Sequence, residues 1–437
     1  MHKKQSVAIC WFRRDLRLKD HAALYHALRS GMPVLPLFIF DTNILSRLED
    51  KADRRVDMIH QVVGGLQEQL RTLGSDMVVA HGTPEDVFRH LLQEYHVTAV
   101  YASRDYEPAA IERDSAIAAL CNAAGIECHT SKDQVIFEPQ EILKDDGTPY
   151  TVYTPYSKRW LAKLNPFFLK AYPVEKYFSS LFQFRSKQLP SLQQLGFEKT
   201  DFTYEAPELP HKVIAHYDET RNFPSVDGTS HLAPHLRFGT ISIRQLAAFA
   251  QKKNLVYLKE LAWREFFMSI LFHFPRVEQH PFKQVYAGIR WRNSEAEFDA
   301  WCKGETGYPM VDAGMRELNT TGTMHNRVRM VVASFLTKHL LINWQWGEAY
   351  FAKKLMDFDL SANNGNWQWA AGCGCDSAPY FRVFNPSEQV KKFDPDLKYI
   401  RKWVPELDSL SYPQPIVEHS FARDRALKTY KEALNNQ

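Results

Sequence analysis

Two kinds of regularity predict an α/β N-terminal domain with a Rossmann-like parallel sheet, followed by an all-α C-terminal domain. Short apolar runs at 7–12, 34–40, 77–80, 97–102 and 125–128 alternate with helical patterns such as 54–73. That is the rhythm of parallel strands covered on both faces by crossover helices. After residue 206 apolar positions recur at helical spacing with few β-branched runs, so the second half reads as mostly helical. Between them, 131–205 scatters proline, lysine and aromatic residues without clear periodicity and reads as a long connector. The aromatics of 150–160, with Phe167 and Phe168, argue against disorder there. The predicted organisation is 1–130, 131–205 and 206–437.

Forty-five per cent hydrophobic residues in 437, with 19 glycines, suffice for two substantial cores. The net charge of +3 permits nucleic-acid binding without demonstrating it. From Thr321 onward 15 Lys and Arg face 12 Asp and Glu, so any nucleic-acid-binding face has to be assembled in three dimensions. The six cysteines, Cys10, Cys121, Cys128, Cys302, Cys373 and Cys375, include no Cys-x-x-Cys pair. In so long a chain they read as reduced, mostly buried thiols. The run 7–12 is shorter than a signal-peptide core and leads straight into Arg13 and Arg14. No stretch approaches the roughly 20 apolar residues of a membrane span, and a cytoplasmic protein is expected. Arg13-Arg14-Asp15 stands where a Gly-x-Gly-x-x-Gly fingerprint would follow the first strand, so a bound nucleotide is expected elsewhere.

The densest polar segment is Asp357-Phe358-Asp359-Leu360-Ser361-Ala362-Asn363-Asn364-Gly365-Asn366-Trp367-Gln368-Trp369. It holds more amides and carboxylates than a helix cap uses, and buried amides need partners. In a helix Trp367 and Trp369 point about 200° apart, so the two indoles serve different surroundings. Gly228-Thr229-Ser230 ahead of Leu232 and Pro234 reads as a turn entering a helix, where free N–H groups and hydroxyls hold phosphate. His231 and His235 have metal-ligand spacing, but Pro234 intervenes and no third ligand is evident. Hydrogen-bonding histidines, and no metal, are expected. Residues 324–346 present a broad apolar helical face, with Asn326, Arg329 and Met330 on one stripe. A buried Arg329 needs an anion, and Asp357 is the candidate. Glu260 and Trp263, three apart, are helix neighbours suited to stacking a flat ring and hydrogen-bonding its edge.

These segments resemble, in order and almost end to end, the photolyase and cryptochrome family. The matching blocks are Trp11-Phe12-Arg13-Arg14-Asp15-Leu16-Arg17, Asp227 to Pro234, Glu260 to Phe266, Thr306 to Pro309 with Asp312 to Arg316, Met324 to Met330, and Phe384-Asn385-Pro386. In detail the chain is most similar to class I DNA photolyases acting on cyclobutane pyrimidine dimers. The resemblance implies non-covalent FAD in the helical domain. The block Thr229, Ser230, His231, Leu232 and Ala233, with Tyr217, would cradle its diphosphate, although the family usually has serine and tyrosine at Ala233 and His235. Arg329 and Asp357 would pair beside the flavin ring, with Phe358 and Asp359 nearby and Asn363 facing its central nitrogen. Photolyases carry asparagine there, where plant and insect cryptochromes carry aspartate or cysteine.

By the same resemblance, Trp263 and Trp369 would clamp a flipped dimer, and Glu260, Asn326 and Met330 would line its pocket. Arg221, Arg327 and Gln389 would join Trp263, Asn326 and Trp369 in holding DNA. Trp291, Trp344 and Trp367 would relay an electron to photoexcited oxidised flavin. The implied reaction is light-driven dimer reversal by an electron lent from excited, reduced, anionic FAD, in a monomer acting on damaged DNA. A (6-4) photolyase is the first alternative, disfavoured by Met324-His325-Asn326-Arg327 in place of a His-rich motif. A signalling cryptochrome is the second, disfavoured by the short sequence after Leu407, and a generic flavoprotein electron carrier is the third. Folate-binding relatives carry Asn-Glu where this chain has Ala109-Ala110. The α/β domain is expected to host an antenna chromophore, and a folate, a deazaflavin, a second flavin and an empty site all stay open.

Overall fold

A computed structural model describes residues 4–435. The chain gathers into two units, one formed by residues up to Glu138 with Leu164–Leu209 and Leu232–Phe249, the other by Pro139–Lys163, Pro210–His231 and Ala250 onward.

The first unit is built on a five-stranded parallel sheet of order β3-β2-β1-β4-β5. The strands are β1 Ser6–Phe12, β2 Val34–Asp41, β3 Val78–Gly82, β4 His96–Ser103 and β5 Glu127–Ser131. Each lies on or beside an apolar run of the sequence; β1 and β2 are buried on both faces and cannot alternate polar and apolar residues, while the edge strands β3 and β5 are only partly buried. β2 is buried along its whole length, and Ile9 of β1 pairs with Leu35 of β2 and Val100 of β4. The Arg13-Arg14-Asp15 turn beyond β1 is engaged by ion pairs: Arg14 reaches Asp105 and Glu107, and Glu107 also takes Arg237. Its basic side chains therefore serve the fold of this unit.

The second unit is helical. Helices Pro309–Thr321, Asn326–Ser334, Trp344–Lys354 and Leu360–Ala371 pack around one core that includes Met310, Val328, Val332, Leu336, Trp344 and Trp367, and the helix Leu255–His273 packs against Leu360–Ala371. Residues 324–346 do not form one continuous helix. The α-helix stops at Ser334, runs through a π-helical turn at Phe335–His339, breaks, and restarts at Trp344. Every residue from Val331 to Ile342 is buried, so the apolar pattern gave no mark of the break.

The three consecutive regions expected from sequence are not the units observed. Part of the expected connector, residues 139–163, belongs to the helical unit, while 164–209 and 232–249 belong to the sheet unit. The physical reason is visible in the connector's own aromatics: Tyr153, Tyr156 and Trp160 on the helix Tyr153–Lys163 are buried. Trp160 donates its indole N–H to buried Glu265 at 2.6 Å. Among the described residues no helix is long and apolar enough to cross a membrane, and all six cysteines are free thiols.

Candidate functional site

The helix Leu360–Ala371 starts at Asp359, whose carboxylate accepts from the Ala362 N–H and the Ser361 hydroxyl. It ends at Gly372, which takes the left-handed conformation (φ 86°) that glycine adopts without strain. Just before it, Asp357 accepts from Nη2 of Arg329 at 3.0 and 3.2 Å, while Arg329 Nε donates to the Met324 carbonyl at 2.8 Å. The expected pair is present, but the two side chains are 29% and 13% exposed, so water partly screens it. Phe358 packs against the main core.

The amides of this helix divide their work. Asn364 donates to the carbonyl of Val277 and to Oε1 of Glu348, and Gln368 donates to Val277 and Asn364 and accepts from the Phe282 N–H. These two side chains suture the helix to the 277–282 segment. Asn363 is buried, and its Nδ2 donates to the Glu348 carbonyl at 3.0 Å. Burial pushes the Glu348 carboxyl up to about 7, against the opposing pull of Asn364.

Trp367 is 2% exposed and Trp369 only partly buried, so the two indoles differ in exposure while both pack on the main core. Trp367 fits because position 347 is glycine: a Cβ there would lie 2.1 Å from its ring. Trp344 and Trp367 belong to the main core and Trp291 packs against it with partial exposure, an inside-to-surface ordering. The indole in ring contact with Trp367 is Trp301, centroids 6.1 Å apart. Trp301 carried no sequence signal beyond its aromaticity.

On the helix Leu255–His273, capped by Asn254, Glu260 and Trp263 lie on a half-buried side. Glu260 is ion-paired with Arg221. Its charge also acts on Tyr217 and Tyr257, whose phenols burial pushes up, Tyr257 to about 12. Trp263 stacks on Tyr153, a residue sequence reasoning passed over as connector. Arg327 donates to the Asn222 side chain at 2.7 Å, lies 4.3 Å over the Phe393 ring, and approaches the sulfur of Met330 at 3.6 Å. Asn326 is exposed, and the Oε1 of Gln389 is buried without a hydrogen-bond partner.

The phosphate candidates are partly assembled. Ser230 Oγ accepts from the Tyr257 hydroxyl at 2.8 Å, Tyr217 meets Tyr257 edge-on, and exposed His231 (φ 52°) pairs with Asp227 at 2.9 Å and approaches Thr229. A Cβ at Gly228 would lie 2.5 Å from Thr220, so the turn needs glycine for this approach. Leu232 and Ala233 fall in the sheet unit. His235 bonds Thr240 at 2.8 Å, and among the described residues no group of three His, Cys, Asp or Glu is placed for a metal.

His325 shows what this surface suits. Its Nδ1 accepts from the Arg327 N–H, and its buried Nε2 has no partner. Burial, then Arg329, Arg327 and His231, holds its pKa down to about 4. At neutral pH the proton therefore sits on Nε2, giving an unused donor among cationic groups, which fits an acceptor-rich, anionic ligand such as a flavin dinucleotide.

A five-stranded parallel-sheet unit and a helical unit with polar and aromatic side chains in its interior make a two-unit protein, α/β in one part and all-α in the other. Comparison narrows it. Residues 8–176 match the DNA photolyase family model, and 257–411 match the FAD binding domain of DNA photolyase. A deoxyribodipyrimidine photo-lyase from Synechococcus sp. is 39% identical across 98% of this chain and 96% of that protein. A bacterial class III photolyase from Agrobacterium tumefaciens superposes with a TM-score of 0.87 at 33% identity, over 99% of this chain and 98% of the other. An archaeal photolyase from Sulfolobus tokodaii, solved with two FAD molecules, gives 0.84 at 33% identity, over 98% and 100%. The chain belongs to the DNA photolyase family and carries its FAD-binding domain.

Proposed function

We propose that this protein reverses cyclobutane pyrimidine dimers in DNA under light, as a cytoplasmic monomer. The observation that carries the reading is the half-buried Glu260–Trp263 step with Arg221 ion-paired to it and Arg327 electrostatically coupled to Arg221. It offers a flat ring, a hydrogen-bonding carboxylate and cations for phosphates in one place. FAD, reduced and bound, supplies the light-driven electron that opens the dimer and takes it back.

The protein's own residues do the rest. Thr229, Ser230, His231 and Tyr217 hold the diphosphate end, with Leu232 and Ala233. Arg329, Asp357, Phe358, Asp359 and Asn363 hold the ring end. Trp263 and Trp369 stack the flipped bases, while Asn326 and Met330 line the pocket. Glu260 exchanges Arg221 for the edge of a base. Arg221, Arg327 and Gln389 bind the strand, and Trp291, Trp344 and Trp367 pass an electron inward from the surface. Dimer-containing single-stranded DNA should be repaired under blue light by pre-reduced protein and left unchanged in darkness. Light-independent or absent turnover would reject the reading.

A further inference from the structure

Trp263 does not stand alone on its helix. The ring of Tyr153 lies parallel to it, centroids 3.5 Å apart and planes 8° apart. Tyr153 opens the helix Tyr153–Lys163 and is itself buried, edge-on to Phe266. Its hydroxyl donates at 2.6 Å to the carbonyl of Lys259, the residue one helical turn ahead of Trp263. Its backbone N–H, one of the donors a helix start leaves without an internal partner, donates to the carboxylate of Asp376 at 3.1 Å. Asp376 belongs to the loop after Gly372, which is pinned by Lys283 to Ser377 and by Lys338 to the carbonyl of Tyr380.

The consequence is steric and orientational. An indole free on both faces accepts a base from either side and at several tilts. One face of Trp263 is closed by Tyr153, and Phe266 and Phe267 crowd it at 5.5 Å. Beside these contacts Trp263 keeps only partial exposure. Stacked aromatic pairs add attraction beyond the area they bury, so Tyr153 fixes the tilt as well as the face.

We propose that Tyr153 is a positioning residue for lesion recognition: it closes one face of Trp263 and ties that indole to the loop after Gly372, so that a flipped dimer meets an indole preset in place and tilt. The inference rests on Trp263 being the residue that stacks the lesion.

The test uses the full-length, FAD-loaded protein and two single-stranded oligonucleotides, alike except for one cyclobutane thymine dimer. Tyr153→Leu keeps apolar volume and removes the flat face; Tyr153→Phe keeps the face and removes the hydroxyl. Tyr153→Leu should lower the ratio of damaged to undamaged affinity about tenfold. Its repair rate at saturating substrate should stay within about twofold of wild type, and Tyr153→Phe should restore the ratio. A residue needed only for folding would lower melting temperature and flavin content in step with affinity, and would leave the ratio of the folded fraction unchanged; that result overturns the proposal. Trp263→Ala separates the two readings. If it abolishes discrimination and Tyr153→Leu does not, the positioning role falls alone. If neither changes discrimination, the lesion pocket itself is misplaced.

Discussion

Asp357 bears directly on how strongly the flavin site depends on single charges. A fully buried ion pair that loses one partner costs roughly 3 to 5 kcal/mol, but Arg329 retains 29% side-chain exposure, so water takes part of the stranded charge. Asp357→Ala should therefore cost only about 1 to 2 kcal/mol in the absence of FAD, while losing flavin during purification. Calorimetry of apoprotein and absorbance of purified protein check the two halves separately. Glu348 gives a pH signature. Its carboxyl ionises near 4.5 in the unfolded chain and, through burial, near 7 in the folded one. The folded state holds the extra proton across that window, so its contribution to stability is complete below pH 4.5 and is lost as pH rises through 7. Glu348→Gln should flatten the fall in melting temperature between pH 5 and 8; an unchanged slope would place the titration elsewhere. The two tryptophans of the polar helix should separate by function. Trp367→Phe should block photoreduction of oxidised flavin yet leave repair by dithionite-reduced protein, and Trp369→Ala should do the reverse. Paired bleaching and turnover assays on each variant decide it.

Element by element, the sheet was legible because its central strands β1 and β2 are buried on both faces and cannot hide their apolar runs, and the part-exposed edge strands still adjoin such runs. The helical site was legible only where polar residues interrupt an apolar background. Asp357, Arg329, Glu260 and Trp263 stood out that way. Asn364 and Gln368 stood out equally, but their amides sew two segments together, and composition does not distinguish a suture from a ligand contact. The π-helical turn at Phe335–His339 left no trace because its neighbours are buried all round, which erases the amphipathic period. Tyr153 was missed for a different reason: its partners lie more than a hundred positions away. Close approach of two helices gives a further expectation. A Cβ at Gly365 would lie 2.1 Å from the Phe267 ring, so Gly365→Ala should destabilise by about 1 to 3 kcal/mol through overpacking. Adding Phe267→Leu should recover part of that loss, and a double-mutant cycle by denaturant unfolding measures the coupling.

For the whole molecule, the division of the chain predicts where truncation fails. A fragment beginning at residue 206, the boundary the sequence suggested, lacks Tyr153, Tyr156 and Trp160, leaving Glu265 buried without the indole that binds it. It should be protease-sensitive and lack the near-ultraviolet circular dichroism of a packed core; a resistant, FAD-binding fragment would contradict this. The same threading sets a schedule during synthesis. The helix Tyr153–Lys163 leaves the ribosome roughly ninety residues before the helix Leu255–His273 begins, an interval on the order of 5 to 20 s at typical elongation rates. Throughout it Trp160, fully buried in the finished protein, lacks the Glu265 carboxylate that accepts its indole N–H, and the nascent chain exposes a sticky aromatic segment that a chaperone is well placed to shield.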